Sequence, residues 1–178
     1  MTDAEFADLE TAGGTAQLRY TRTFRHPPEK VWRALTEPEH LREWFPTDIE
    51  GERATGARLR FVFRQNEGPD FDGEMIRYDP PSVLEIRWGD DVLRFELEPD
   101  GPGGSGTRMT FTDTFPEFGK AARDAAGWHV CLAALAAHID GSPDAGKLRS
   151  QWKDVHEVYV ERFPAEAATI GPPGGAPG

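Results

Sequence analysis

The sequence predicts an α+β grip, in which a curved antiparallel sheet of about six to seven strands wraps around one long helix near the C-terminal end. Three observations carry this. Strand-like alternation opens the folded part of the chain and then fills its middle. The connections between the middle strands are too short for crossovers, which makes the pairing antiparallel. A single long apolar helical stripe follows the last strand, and a sheet with one apolar face needs such a cover.

The elements follow in order. Residues 1–16 are acidic and small with no sustained apolar period, so a mobile tail is expected there. Leu18 to Phe24 alternates as a half-buried strand, and His26-Pro27-Pro28 stops it. Pro28 suits a first helical position, and Val31, Trp32 and Leu35 follow at helical spacing. Pro38, Leu41, Trp44 and Phe45 mark a second short helix that Pro46 ends. Strands are predicted over 58–64, 71–78, 82–88, 92–98 and 107–114, with Gly89-Asp90-Asp91 as a tight hairpin signal. After Pro116 the period becomes helical: Trp128, Leu132, Leu135 and Ile139 form one stripe, ended by Gly141-Ser142-Pro143. A last helix over about 147–163 carries Leu148, Trp152, Val155, Tyr159 and Phe163 on one face. It is expected to pack back on the domain; an unpaired stripe would instead be a self-association surface, and hence a homodimer. The domain is therefore bounded at 17–164, with a Gly/Pro-rich tail over 165–178.

Composition excludes several functions. The formal charge is −11 with 20 basic and 31 acidic side chains, and no Lys/Arg cluster reverses that sign locally. Nucleic acid and anionic membrane surfaces are poor partners for such a chain. No apolar run reaches the ~18 residues needed to span a bilayer, and the first ten residues lack the pattern of a secretory signal. A single cysteine, Cys131, has no internal disulfide partner, which fits a cytoplasmic location. Eleven Phe, five Trp and three Tyr supply the burial capacity for a core.

The pattern Phe24-x-x-Pro27-x-Glu29-x-Val31-Trp32-x-Ala34-Leu35-Thr36-x-Pro38-x-x-Leu41-x-x-Trp44 resembles the opening signature of the SRPBCC (START-like, helix-grip) superfamily. Within it, the sequence is most similar to proteins named for the C-terminal domain of the activator of the heat-shock-protein-90 ATPase. Asp79-Pro80-Pro81 leading through Leu84 to Trp88, Gly106 to Thr110, and Gly127-Trp128 with Leu132 and Leu135 extend the match over roughly residues 18–140. The resemblance implies a Bet v 1-like cavity between the long helix and the concave sheet, usually holding a small apolar ligand. Some superfamily members use that cavity for cyclase, dehydratase or hydrolase chemistry, so the fold alone does not assign a reaction. The namesake's chaperone contact lies largely in a separate N-terminal domain, and only some 17 residues precede the fold here, so a chaperone partner is disfavoured.

The chemical motifs are sparse. Gly101-Pro-Gly-Gly-Ser-Gly106 matches GxGxxG formally, but a strand follows it rather than a helix, so it reads as a hairpin loop. His129 and Cys131 are two residues apart on a helix and diverge, Cys131 and His138 are separated by about 10.5 Å of rise, and His26, His40 and His156 lie on other elements. No metal and no cofactor are expected. Cys131 has no base among its helical neighbours and reads as a buried packing residue. Asp113 shares a strand face with Met109 and Phe111 and so points inward, as a weak general-base candidate, a ligand orienter, or a carboxylate capping the helix after Pro116. Trp44, Phe61, Phe63, Trp88, Phe95, Met109, Phe111, Trp128, Leu132 and Leu135 are the expected ligand-binding residues. The resulting expectation is binding of a small hydrophobic molecule (a lipid, polyketide or aromatic metabolite), with an enzyme using the same cavity as the alternative.

Overall fold

A computed structural model describes residues 5–64 and 68–172. The strands are β1 (Asp8–Ala12), β2 (Thr15–Phe24), β3 (Thr47–Glu50), β4 (Arg58–Phe63), β5 (Phe71–Asp79), β6 (Val83–Trp88), β7 (Asp91–Asp100) and β8 (Gly106–Phe115). The helices are α1 (Pro28–Thr36), α2 (Pro38–Trp44), α3 (Ala121–Ile139), α4 (Ala145–Leu148) and α5 (Trp152–Arg162). One eight-stranded sheet runs in the order β1-β2-β8-β7-β6-β5-β4-β3, and all pairings are antiparallel.

The alternation of β8 explains how the sheet meets the helix. Thr107, Met109, Phe111, Asp113 and Phe115 are buried, while the residues between them are half-buried or exposed. The inward face of β2, Ala16, Leu18, Tyr20 and Phe24, joins them, and α3 covers the layer. The Tyr20 hydroxyl donates to the Ala125 carbonyl of α3 at 2.6 Å, tying strand to helix inside the core. Helix α3 is buried on nearly every side because α5 packs on its outer face through Val155 and Tyr159. The stripe on the last helix thus packs back on the domain, and Val160 is the large hydrophobic residue left exposed among the described residues.

Three segments differ from expectation. Residues 8–12 form the edge strand β1 instead of a tail, and Phe6 and Ala7 dock on α5. The Ala7 amide donates to the Tyr159 hydroxyl at 2.9 Å, and the Phe6 ring lies 5.4 Å from that of Tyr159. The strand was invisible to alternation because Leu9 is its one half-buried residue. Strand β3 follows α2 directly and brings the count to eight. Residues 165–168 form a packed 3-10 turn with Ala167 buried, and the Ile170 amide donates to the Gly119 carbonyl. The rest of the expected tails, residues 1–4 and 173–178, lies outside the described residues.

Two turns set the geometry at the site. The β6–β7 hairpin turns through Gly89 and Asp90, with Gly89 at φ +60°, and its closing pair is Trp88 opposite Asp91. The β7–β8 turn contains the GxGxxG stretch, where Gly101, Gly103 and Gly104 all have positive φ; it is a hairpin loop, as its context indicated. No helix among the described residues is long and apolar enough to cross a membrane.

Candidate functional site

Lys120, Arg123, Asp124, Gly127, Trp128 and Cys131 recur at the spacing of one helical face, at and beyond the N-terminal end of α3. This face forms one wall of a cleft of about 300 Å³. The β6–β7 hairpin supplies Trp88 and Asp91, the end of α2 leads into Pro46, and α5 contributes Trp152. Gly127 leaves the floor open: a side chain there would begin 3.8 Å from Trp152 Nε1. The cleft therefore has an apolar part made of three indoles, Pro46 and Cys131, and a polar end made of two carboxylates, an ammonium and a guanidinium.

The polar end is closely paired. Lys120 Nζ donates to both oxygens of Asp91 at 2.6 and 2.7 Å and lies 3.2 Å from Asp124 Oδ2. Arg123 Nε donates to Asp124 Oδ1 at 2.7 Å. Burial pulls the Lys120 ammonium down, but Asp124 and Asp91 more than offset it, so its pKa lies above the usual lysine value and it stays charged.

Behind this wall lies Asp113. It is fully buried, and its Oδ2 accepts from Trp128 Nε1 at 2.9 Å. Its Oδ1 has no hydrogen-bond partner among the described residues. Burial first, then the charges of Asp91 and Asp124, raise its carboxyl well above the usual carboxylate range, against the Trp128 bond and Lys120. Burial thus favours the neutral form of this acid. Asp113 points inward as its strand face indicated, but it neither lines the cleft nor caps a helix. It fixes the ring that does line the cleft.

Of the ten residues expected to bind ligand, Trp88 and Trp128 line this cleft. The other eight lie outside the lining of this cleft. Trp44, Phe61, Phe95, Met109, Phe111, Leu132 and Leu135 are buried core residues. Phe95 and Phe111 stack at 4.6 Å, Phe111 meets Trp128 at 5.1 Å, and Trp44 Nε1 donates to the Ala34 carbonyl at 2.8 Å. Phe63 is half-buried on β4, 6.1 Å from Phe71. The physical reason is that large rings from both layers interdigitate between sheet and helix, so residues that face the groove fill it.

Lys120, Arg123, Asp124, Asp91 and Trp152 were missed. The only sequence signal for the first three was their common helical face with Trp128. Folding also brings His40 Nδ1 to 2.9 Å from His138 Nε2, joining α2 to α3. Two sets of three metal-capable side chains occur among the described residues, Glu37/Glu39/His40 and Asp91/Asp113/Asp124. In the second, Lys120 already stands as the cation, and the first lies on the first turn of α2 away from the cleft.

The fold has many solved relatives. The conserved protein of unknown function EF2215 from Enterococcus faecalis is 23% identical, with a TM-score of 0.74 over 88% of this chain and 89% of that one. CalU16 from Micromonospora echinospora, in solution, is 19% identical, with a TM-score of 0.67 over 95% and 97%. The Aha1 dimer from Colwellia psychrerythraea is 22% identical, with a TM-score of 0.58 over 69% and 95%. At these identities the likeness shows the fold alone. No curated protein sequence matches significantly. Residues 25–140, well over half of the chain, match the family described as Activator of Hsp90 ATPase homolog 1-like protein, whose fold is of the SRPBCC type; the chain belongs to that family.

Proposed function

We propose that the chain binds a small, ring-bearing apolar molecule in the cleft between α3, the β6–β7 hairpin and Trp152. The observation that carries this reading is the meeting of Trp88, Trp128 and Trp152 around a volume of about 300 Å³ floored by a glycine. Indole faces left partly uncovered gain by burying a planar apolar ligand, at about 25 cal/mol per Å² before ordering costs. The volume sits at the lower end of the roughly 300–1,000 Å³ typical of ligand sites, which favours a compact aromatic over a long acyl chain.

An enzymatic role has less support, because Asp113, the inward carboxylate, stands behind Trp128, and the carboxylates in the cleft are held by Lys120 and Arg123. A cytoplasmic site of action rests on the lone Cys131. A homodimer draws support from the dimeric Colwellia neighbour and little from the surface of the described residues, where Val160 is the large hydrophobic residue left exposed.

Isothermal titration calorimetry with 2-naphthol, a neutral two-ring probe, tests the proposal. The wild-type protein should bind it, and Trp152→Ala should weaken binding about tenfold while the thermal unfolding transition persists, since Trp152 is half-buried and stacks on His156 at 4.7 Å. No heat of binding in the wild type, or equal affinity in Trp152→Ala, would contradict it.

A further inference from the structure

The cleft's polar groups are not equally available, and the difference selects a ligand class. All four oxygens of Asp91 and Asp124 are engaged: both of Asp91 by Lys120, Asp124 Oδ1 by Arg123 Nε, and Asp124 Oδ2 by Lys120. The same contacts hold the Lys120 ammonium between the two carboxylates. Arg123 is different. Its side chain is only 24% exposed, its Nε is fixed on Asp124, and Nη1 and Nη2 have no hydrogen-bond partner among the described residues. The indole N–H groups of Trp88 and Trp152 are likewise without a partner among the described residues, whereas that of Trp128 is held by Asp113. The side-chain nitrogens of the cleft that stand without a partner among the described residues are thus all donors.

We propose that the ligand carries a carboxylate, seated on the Nη1/Nη2 fork of Arg123, with its ring system between Trp88, Trp128 and Trp152. This rests on the cleft being the binding site, and names the class of molecule it takes. A ligand whose polar group only donates, such as a protonated amine, would have to share carboxylate oxygens that Lys120 and Arg123 already contact. A planar carboxylate instead matches the guanidinium fork, which presents two parallel N–H groups at fixed spacing. Local charge permits it. Lys120 and Arg123 offset Asp91 and Asp124 at close range, with Asp90 of the hairpin nearby, so an arriving anion meets far less negative charge at the fork than the chain's net −11. Long-range repulsion slows its approach, but it is screened beyond about 8–10 Å at ordinary ionic strength, and the contact itself is short-ranged.

The test compares 2-naphthoate, 2-naphthamide and 2-naphthol by calorimetry on wild type, Arg123→Gln and Arg123→Lys, with circular dichroism to confirm folding. Wild type should prefer 2-naphthoate over 2-naphthol about tenfold, with the amide between them, since a hydrogen bond to a charged group contributes at least that factor. The preference should fall to about one in Arg123→Gln, and Arg123→Lys should recover it only in part, because an ammonium cannot reproduce the fork. Equal binding of all three probes by wild type, or an unchanged preference in Arg123→Gln, overturns the carboxylate assignment while leaving the cleft as the binding site. Failure of all three to bind removes both.

Discussion

Trp128 Nε1 donates to Asp113 Oδ2 at 2.9 Å, joining a cleft-lining indole to a fully buried acid on β8. The bond fixes one wall of the cleft from behind, and it explains why a carboxyl group is placed where its ionisation is strongly disfavoured. Removing the acid while keeping its acceptor separates those two effects.

Asp113→Asn should therefore stabilise the protein at pH 7–8. An acid whose pKa is raised in the folded state costs stability as pH rises above its unfolded value near 3.8, until the folded group itself ionises. The amide carries no such cost and still accepts from Trp128. A gain in unfolding free energy in urea at pH 8, shrinking toward pH 4, is expected. Asp113→Leu should behave differently, leaving the Trp128 N–H buried and unpaired and weakening 2-naphthol binding. A loss of stability in Asp113→Asn at pH 8 would contradict the neutral-acid assignment.

His129 supplies an acid-side limit. It is buried beneath Phe6 and α5, and its Nδ1 lies within hydrogen-bond distance, 3.1 Å, of the Tyr159 hydroxyl, which also accepts from the Ala7 amide. Burial first, and then the Arg22 charge, lower its pKa from 6.5 to about 4. The unfolded chain binds this proton more readily, so the stability contribution is complete above about pH 6.5 and falls as pH drops toward 4. A loss on the order of 3 kcal/mol over that window is expected. Unfolding free energies of wild type and His129→Gln between pH 4 and 7 check it: the variant should have a shallower slope, and identical slopes would exclude His129 as the cause.

Gly127 should trade stability against binding. It lies inside α3, and a Cβ there would meet only Trp152 Nε1 at an ordinary 3.8 Å, so Gly127→Ala should gain about 0.5–1 kcal/mol from helix propensity alone. A larger side chain would grow toward Trp152. Gly127→Leu should keep the fold and abolish 2-naphthol binding, as read by calorimetry; retained affinity would place the ligand elsewhere.

Leu135 tests the opposite class of residue. It is fully buried on α3 and does not line the cleft. Leu135→Ala should cost about 2–5 kcal/mol in urea unfolding, yet leave the 2-naphthol affinity of the folded protein within twofold. A large affinity loss at unchanged stability would return the binding site to the space between sheet and helix.

What the sequence made legible follows from which signals are local. The strands β2 and β4–β8 and the stripe of α3 were readable because alternation and helical period come directly from side chains facing a core. Strand β1 was not, since Asp8–Ala12 pairs only at the sheet edge and buries almost nothing of its own. The inward faces of Phe95, Met109 and Phe111 were also readable. Whether inward rings line a void or fill it was not, because that depends on how the two layers interdigitate. The cleft was the least visible feature. Lys120, Arg123, Asp124 and Gly127 look like a solvated helix face until the β6–β7 hairpin lays Trp88 and Asp91 against it and α5 returns Trp152 over Gly127.

The most direct measurement follows the five indole N–H signals of 15N-labelled protein by two-dimensional NMR during titration with 2-naphthol. The cleft contains Trp88, Trp128 and Trp152, while Trp44 is sealed in the core with its N–H on Ala34, and Trp32 lies against Tyr78 at another surface. The Trp88, Trp128 and Trp152 signals should shift together along one saturation curve while Trp32 and Trp44 stay fixed. A shift of Trp44 with Trp152 unmoved would put the ligand between sheet and helix and contradict the cleft assignment.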